Sequence, residues 1–152
     1  MTEQLALLVA DVYGAAGALR RAGEALAAAE GQTQARWQLM SVVSEQPLPV
    51  ARAARRLGVA RQGVQRIAAN LVRDGLAEFQ DNPDHLTSPL LTLTEAGQRV
   101  LAAITARAAT AHQAMGEGIS AEDVAAARSV LQRLTQQTDL WVDAAIAPEE
   151  GA

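Results

Sequence analysis

Gly58 constrains this chain more than any other residue, because two short apolar stripes meet at it. The surrounding stretch, Pro47 to Asp74, reads PLPVARAARRLGVARQGVQRIAANLVRD. Before the glycine, Val50, Ala53, Ala54 and Leu57 fall at i, i+3, i+4 and i+7, the spacing of one helical face. After it, Val64, Ile67, Ala68 and Leu71 repeat the pattern. A glycine directly after Leu57 can take the left-handed conformation that ends one helix and turns the chain into the next. At about 100° per residue, the face opposite the second stripe carries Gln62, Arg66, Ala69 and Arg73, with Gln65 alongside. Two helices across a glycine turn, the second presenting Gln and Arg outward, have the form of a helix-turn-helix. A second helix of that kind enters the major groove of DNA.

Charge follows the same boundary. Residues 50–73 contain six arginines, at 52, 55, 56, 61, 66 and 73, and no acid. The other seven arginines share the rest of the chain with all 17 acids, so the segment stands at +6 and the remainder at −10, together the formal −4. A charge run is often only a solvated helix face. Here turn, spacing and one-sided charge coincide, which is the electrostatic footprint of a phosphate-binding surface.

The flanking sequence supplies a wing and long helices. Residues 3–28 carry Leu5, Leu8, Val9, Val12, Ala16, Leu19 and Leu26 at three- and four-residue steps, predicting a helix despite Gly14, Gly17 and Gly23. Glycines in such a helix point to packing against something else. Thr33 is placed to cap a second helix reaching about Ser44. Gly75 ends the recognition helix, and Leu76–Gln80 and Leu90–Leu93 then read as two strands around the turn-rich DNPDHLTSP, with Pro89 at a strand end. A hairpin in that position makes the motif a winged helix-turn-helix. Thr94 can cap a helix from Glu95 to about Met115. Ser120-Ala121-Glu122-Asp123 resembles a capping box for a last helix carrying Val124, Ala127, Leu131, Leu134 and Trp141. No repeat or domain linker interrupts the chain.

With this order in place, the chain resembles the MarR family of bacterial transcription regulators along nearly its whole length. The resemblance lies in TQARWQLMSVVSEQP, in ARRLGVARQGVQRIAANLVRDGLAE, in NPD and SPLLTLTEAG across the wing, and in GISAEDV before the last helix. It implies a mainly α fold: a winged helix-turn-helix with a two-stranded β-wing (33–93), and long N- and C-terminal dimerisation helices (1–30 and 95–147). Together these would form one domain over 1–147, followed by a flexible tail at 148–152. It also implies a homodimer, double-stranded DNA as partner, and in many relatives a small aromatic or phenolic effector. Two departures stand out. The family's wing usually carries an arginine after Pro-Asp, where this chain has His85-Leu86-Thr87. Its recognition helix often opens with Ser and has Thr three residues later, where this chain has Ala60 and Gly63.

The expected roles follow. Gln62, Gln65 and Arg66 reach base edges, since glutamine pairs with adenine and arginine with guanine. Arg52, Arg55, Arg56, Arg61 and Arg73 meet phosphates. His85 and Thr87 on the wing are further DNA-contact candidates. Tyr13, Trp37 and His112 are the ligand candidates, having an aromatic face or a polar handle. For Tyr13 and Trp37 the plainer alternative is a place in the core. Trp141 belongs to the dimer core.

A repressor on a pseudo-palindromic operator is the resulting expectation. The alternative is a dimeric ligand-binding or protein-interaction module that has lost specific DNA binding, motivated by the bare wing. With two histidines 27 positions apart and no cysteine, the chain has no triad pattern, metal-ligand spacing or thiol chemistry, so neither an enzyme nor a cofactor is expected. The N-terminus lacks the basic start of a secretory signal, and no apolar run approaches the roughly 20 residues of a membrane span, so the cytoplasm is the expected compartment. Alanine and arginine without lysine point to a GC-rich bacterial source.

Overall fold

A computed structural model describes residues 1–146; the tail expected at 148–152 lies outside them. The elements run α1 (Thr2–Ala28), α2 (Gln34–Glu45), β1 (Leu48–Pro49), α3 (Val50–Leu57), α4 (Arg61–Arg73), β2 (Ala77–Gln80), β3 (Leu90–Leu93), α5 (Glu95–Met115) and α6 (Ala121–Ile146). The chain divides into two compact units, Met1–Ala111 and His112–Ala152.

The helix boundaries are set by local chemistry. Thr33 Oγ1 accepts from the Arg36 amide at 3.2 Å, and Thr94 Oγ1 from the Gly97 amide at 3.1 Å, each satisfying one orphan donor of the helix it opens. Gly58 takes φ 64°, the left-handed conformation its position required. Ser120 and Asp123 form the reciprocal box: the Asp123 amide donates to Ser120 Oγ at 3.0 Å, and the Ser120 amide to Asp123 Oδ2 at 3.4 Å.

In the first unit the core gathers α2 (Leu39, Met40, Val43), α3 (Ala53, Ala54), α4 (Val64, Ala68, Leu71), the sheet (Leu48, Leu91, Leu93) and Ile104 of α5. α1 joins at Gly23. A Cβ there would lie 2.7 Å from Gln34 Cγ, so the missing side chain is what lets α1 close on α2. The other two α1 glycines serve no such contact; nothing would meet a Cβ on Gly14, and only an Arg21 guanidinium nitrogen lies near Gly17.

The sheet has three strands rather than the two expected, in the order β1-β3-β2 and antiparallel throughout. The additional strand is Leu48–Pro49, paired with Leu91 and Leu90. Two residues, one of them a proline, leave no alternation to read, and Pro49 is tolerated because β1 lies on the sheet edge. β2 begins at Ala77, one residue later than expected. Leu76 instead closes the end of α4, its amide donating to Leu71 O at 2.9 Å, while its own carbonyl accepts from the Thr94 amide at 3.2 Å.

Apolar residues remain uncovered in both units. On α1, Leu5, Leu7, Tyr13 and Leu19 are exposed. In the second unit Val124, Leu131, Leu140 and Trp141 of α6 are exposed, and none of the described side chains of this 26-residue helix is buried. A helix is normally held by packing of its apolar stripe, so a stripe left in water calls for a partner.

Candidate nucleic-acid interface

The rotation of α4 about its axis is decided from inside. Val64, Ala68 and Leu71 are buried and Ile67 half-buried against the first unit's core. Gln62, Gln65, Arg66, Ala69 and Arg73 are thereby turned out, leaving Gln62, Gln65, Arg66 and Ala69 exposed and Arg73 with most of its side chain in solvent. α3 is held the same way by Val50, Ala53 and Ala54, which leaves Arg52, Arg55 and Arg56 exposed.

Not every arginine on this face is uncommitted. Arg56 pairs with Glu45 of α2, and Arg73 with its neighbour Asp74 at 3.3 Å. Among the described residues, Arg52, Arg55, Arg61 and Arg66 have no acidic partner. Counting charge within 50–73 overlooks this, because Glu45 and Asp74 lie just outside the segment and fold back onto it.

Asp74 has a second partner that pattern alone does not reveal. Arg36 on α2, mostly buried, reaches Asp74 Oδ2 at 2.8 Å, and its Nε and Nη2 have no other partner among the described residues. The Arg36 hydrogen bond, followed by its charge and that of Arg73, holds the Asp74 carboxyl below its ordinary value against the opposing effect of partial burial. This pair ties the C-terminal end of α4 to α2. An arginine three residues after a cap, on an otherwise apolar helix face, is the only sequence signal for it.

The wing tip is shaped by Asn82, the one polar residue among the buried set of described residues. Its Nδ2 donates to Ser88 O at 2.8 Å and its Oδ1 accepts from the Asp84 amide at 3.1 Å, an Asx turn of the kind Asn-Pro-Asp favours. His85 and Leu86 stand exposed on the tip, Leu86 at 98%, and Thr87 is exposed where the loop returns toward β3. The wing's charged residues are Glu78, Asp81 and Asp84, all exposed, so its surface is acidic where the helix-turn-helix is basic.

The first unit carries a cleft of about 230 Å³ between the start of α3, the first turns of α4 and the root of the wing, with Arg61, Gln65, Phe79 and Thr87 among its walls. A larger cleft, of about 680 Å³, is lined by Ser44 and by Gln98, Leu101, Ala102, Thr105, Ala106 and Ala109 of α5. None of Tyr13, Trp37 and His112 lines either cleft. Tyr13 is 77% exposed, His112 is exposed, and Trp37 packs partly buried against the core. Among the described residues no cluster of histidine and carboxylate side chains could hold a metal ion, and no helix is long and apolar enough to cross a membrane.

Comparison with known proteins bears on the family and the fold. Residues 30–86, from the end of α1 into the wing, match the model of the MarR family. Uncharacterized protein Rv2011c of Mycobacterium tuberculosis is 57% identical over 134 residues, covering 88% of this chain and 94% of that one; Mb2034c of Mycobacterium bovis matches to the same extent. Among solved structures, the MarR family transcription regulator SP03579 superposes with a TM-score of 0.79 at 25% identity, over 93% of this chain and 95% of that chain. A MarR family regulator from Listeria monocytogenes, complexed with a 26mer DNA, has a TM-score of 0.81 at 17% identity, over 95% and 97%. CouR from Rhodococcus jostii RHA1, bound to p-coumaroyl-CoA, has a TM-score of 0.75 at 22% identity, over 86% and 90%.

Proposed function

The chain belongs to the MarR family of winged-helix transcription regulators, and on that premise we propose that it is a homodimeric repressor that reads a pseudo-palindromic operator. One observation carries this reading: in a chain of net charge −4, α3 and α4 present four arginines without acidic partners among the described residues, around the exposed Gln62 and Gln65 on the outward side of α4. Gln62, Gln65 and Arg66 read bases, while Arg52, Arg55 and Arg61 position the duplex through phosphates. Arg56 and Arg73 must first exchange Glu45 and Asp74 for phosphate, which makes them the weaker contacts. His85 and Thr87 contribute from the wing without its usual cation.

Dimerisation is supported by the uncovered apolar side chains of α1 and α6, with Trp141 and Leu131 as core members. The dimerisation helices are proposed over 1–30 and 95–147. Two recognition helices related by a two-fold axis read half-sites about one turn, ~10 bp, apart.

A small aromatic or phenolic effector would release the DNA. The neighbour bound to p-coumaroyl-CoA motivates the class, and the larger cleft, of a volume suited to a small molecule, supplies a place. Tyr13, Trp37 and His112, none of which lines that cleft in the single subunit, stay the candidate reporters, or contacts of an effector seated elsewhere. A change in tryptophan fluorescence or DNA affinity on adding phenolic acids tests this; no change in either removes it.

The second reading, an interaction module without specific DNA binding, is favoured by the acidic wing alone. A gel shift with the gene's own upstream region at two salt concentrations decides between them. The repressor reading requires a specific, salt-sensitive complex and a solution mass of two subunits. Binding no tighter than to unrelated DNA, or a lone subunit, overturns it.

A further inference from the structure

The smaller cleft is an odd thing to find on a DNA-binding face. Phe79 is the chain's only phenylalanine, and its cross-strand partner Leu91 is fully buried. Side chains directly opposite on paired strands share a face of the sheet, so Phe79 points to the core side and would ordinarily be covered. It is 38% exposed instead, because β2 is an edge strand and the core does not extend beneath its outer half. What lies there is the cleft of about 230 Å³, with Arg61 and Gln65 of α4 on one side and Thr87 and Ser88 of the wing root on another. Among the described residues no acid lines it. The acids of the wing, Glu78, Asp81 and Asp84, are absent from its walls although they neighbour it in sequence.

We infer that this cleft seats one deoxyribose of the operator backbone, with the sugar's apolar face on Phe79 and an adjoining phosphate held by Arg61 and the hydroxyls of Thr87 and Ser88. The inference rests on the DNA-binding reading above and adds to it the path of one strand. A strand running from the major groove read by α4 toward the groove beside the wing must cross between these two elements. The crossing point needs an apolar surface for the sugar, a cation and hydroxyl donors for the phosphate, and no carboxylate; the cleft offers each. It also accounts for a wing without arginine, because the backbone grip moves from the acidic tip to a cleft whose lining carries no acid.

A sugar-phosphate contact carries no sequence information, which makes the test sharp. Hydroxyl radicals cut DNA at exposed deoxyribose, so the wild-type complex on its upstream duplex should protect a sugar between the major-groove and wing segments. That protection should vanish in Phe79→Ala while protection along the recognition helix remains. Affinity for the upstream duplex and for a scrambled duplex should fall by the same factor, roughly tenfold for the removal of one apolar side chain. The slope of log affinity against log salt should be unchanged in Phe79→Ala and shallower by about 0.9 in Arg61→Ala, since only the arginine releases a counterion.

Ala51→Leu, which fills the cleft from its α3 side, provides a second test that keeps Phe79 in place, and should weaken both duplexes as well. Wild-type affinity in both variants, or a loss confined to the upstream duplex, overturns the inference. Failure of the DNA-binding reading looks different: no footprint forms with wild-type protein. A footprint that depends on Arg66 but not on Phe79 removes the sugar seat alone.

Discussion

Arg36 and Asp74 lie 38 positions apart in the chain and 2.8 Å apart in space, joining α2 to the residue that ends the recognition helix. Asp74 also holds Arg73, the last residue of that helix. The mostly buried Arg36 leaves two of its donors unmatched, so Asp74 is its single compensating charge among the described residues. The angle at which α4 leaves the body thus depends on an ion pair as well as on apolar packing.

The first prediction concerns acid. The Asp74 carboxyl is held below its ordinary value of 3.8, chiefly by the hydrogen bond from Arg36. A lowered folded-state value contributes stability that is present above the unfolded value and lost as pH falls through the folded one. Urea midpoints between pH 7 and pH 3 should therefore show a shallower acid limb in Asp74→Asn than in wild type, from a lower starting point at neutral pH. Parallel limbs would show that this carboxylate is not linked to folding.

The second tests the uncapped start of α4. Ala60 occupies the N-cap with extended backbone angles and can offer no side-chain bond. Ala60→Ser places a hydroxyl where the cap is missing and should stabilise the protein by about 1 kcal/mol. Chemical denaturation measures it, and an unchanged midpoint would mean the helix start is already satisfied by solvent.

The third concerns the junction of α5 with the end of α4. A Cβ on Gly97 would stand 1.9 Å from the carbonyl oxygen of Leu76, which is backbone and cannot swing aside. Gly97→Ala should cost on the order of 3 kcal/mol and separate the sheet from α5. Near-wild-type stability would contradict the tight contact. Gly14→Ala, with open space at its Cβ, should instead be neutral or mildly stabilising, and serves as the control.

The fourth separates reading from holding. Arg66→Ala and Gln62→Ala should each reduce the preference for the upstream duplex over scrambled DNA, by about 1–3 kcal/mol. Arg52→Ala and Arg55→Ala should weaken both duplexes alike and flatten the salt dependence by about 0.9 for each phosphate no longer neutralised. Competition binding with both duplexes distinguishes the two patterns; the reverse assignment would require α3, not α4, to lie in the groove.

What depends on neighbours along the chain was legible in the order of residues alone. Helix periods, the Gly58 turn, the caps at Thr33, Thr94 and Ser120, the hairpin and the side of α4 that faces out all follow from spacings of a few residues. What depends on residues far apart in the chain meeting emerged only on packing. β1 exists only because Leu48 and Pro49 find β3, Arg56 is occupied only because Glu45 folds over it, and Arg36 has a role only because Asp74 arrives beside it. Phe79 shows the division most plainly. Strand alternation puts it on the same face as Ala77, but only the packed fold, which buries Ala77 and stops short of covering Phe79, made it the wall of an open cleft.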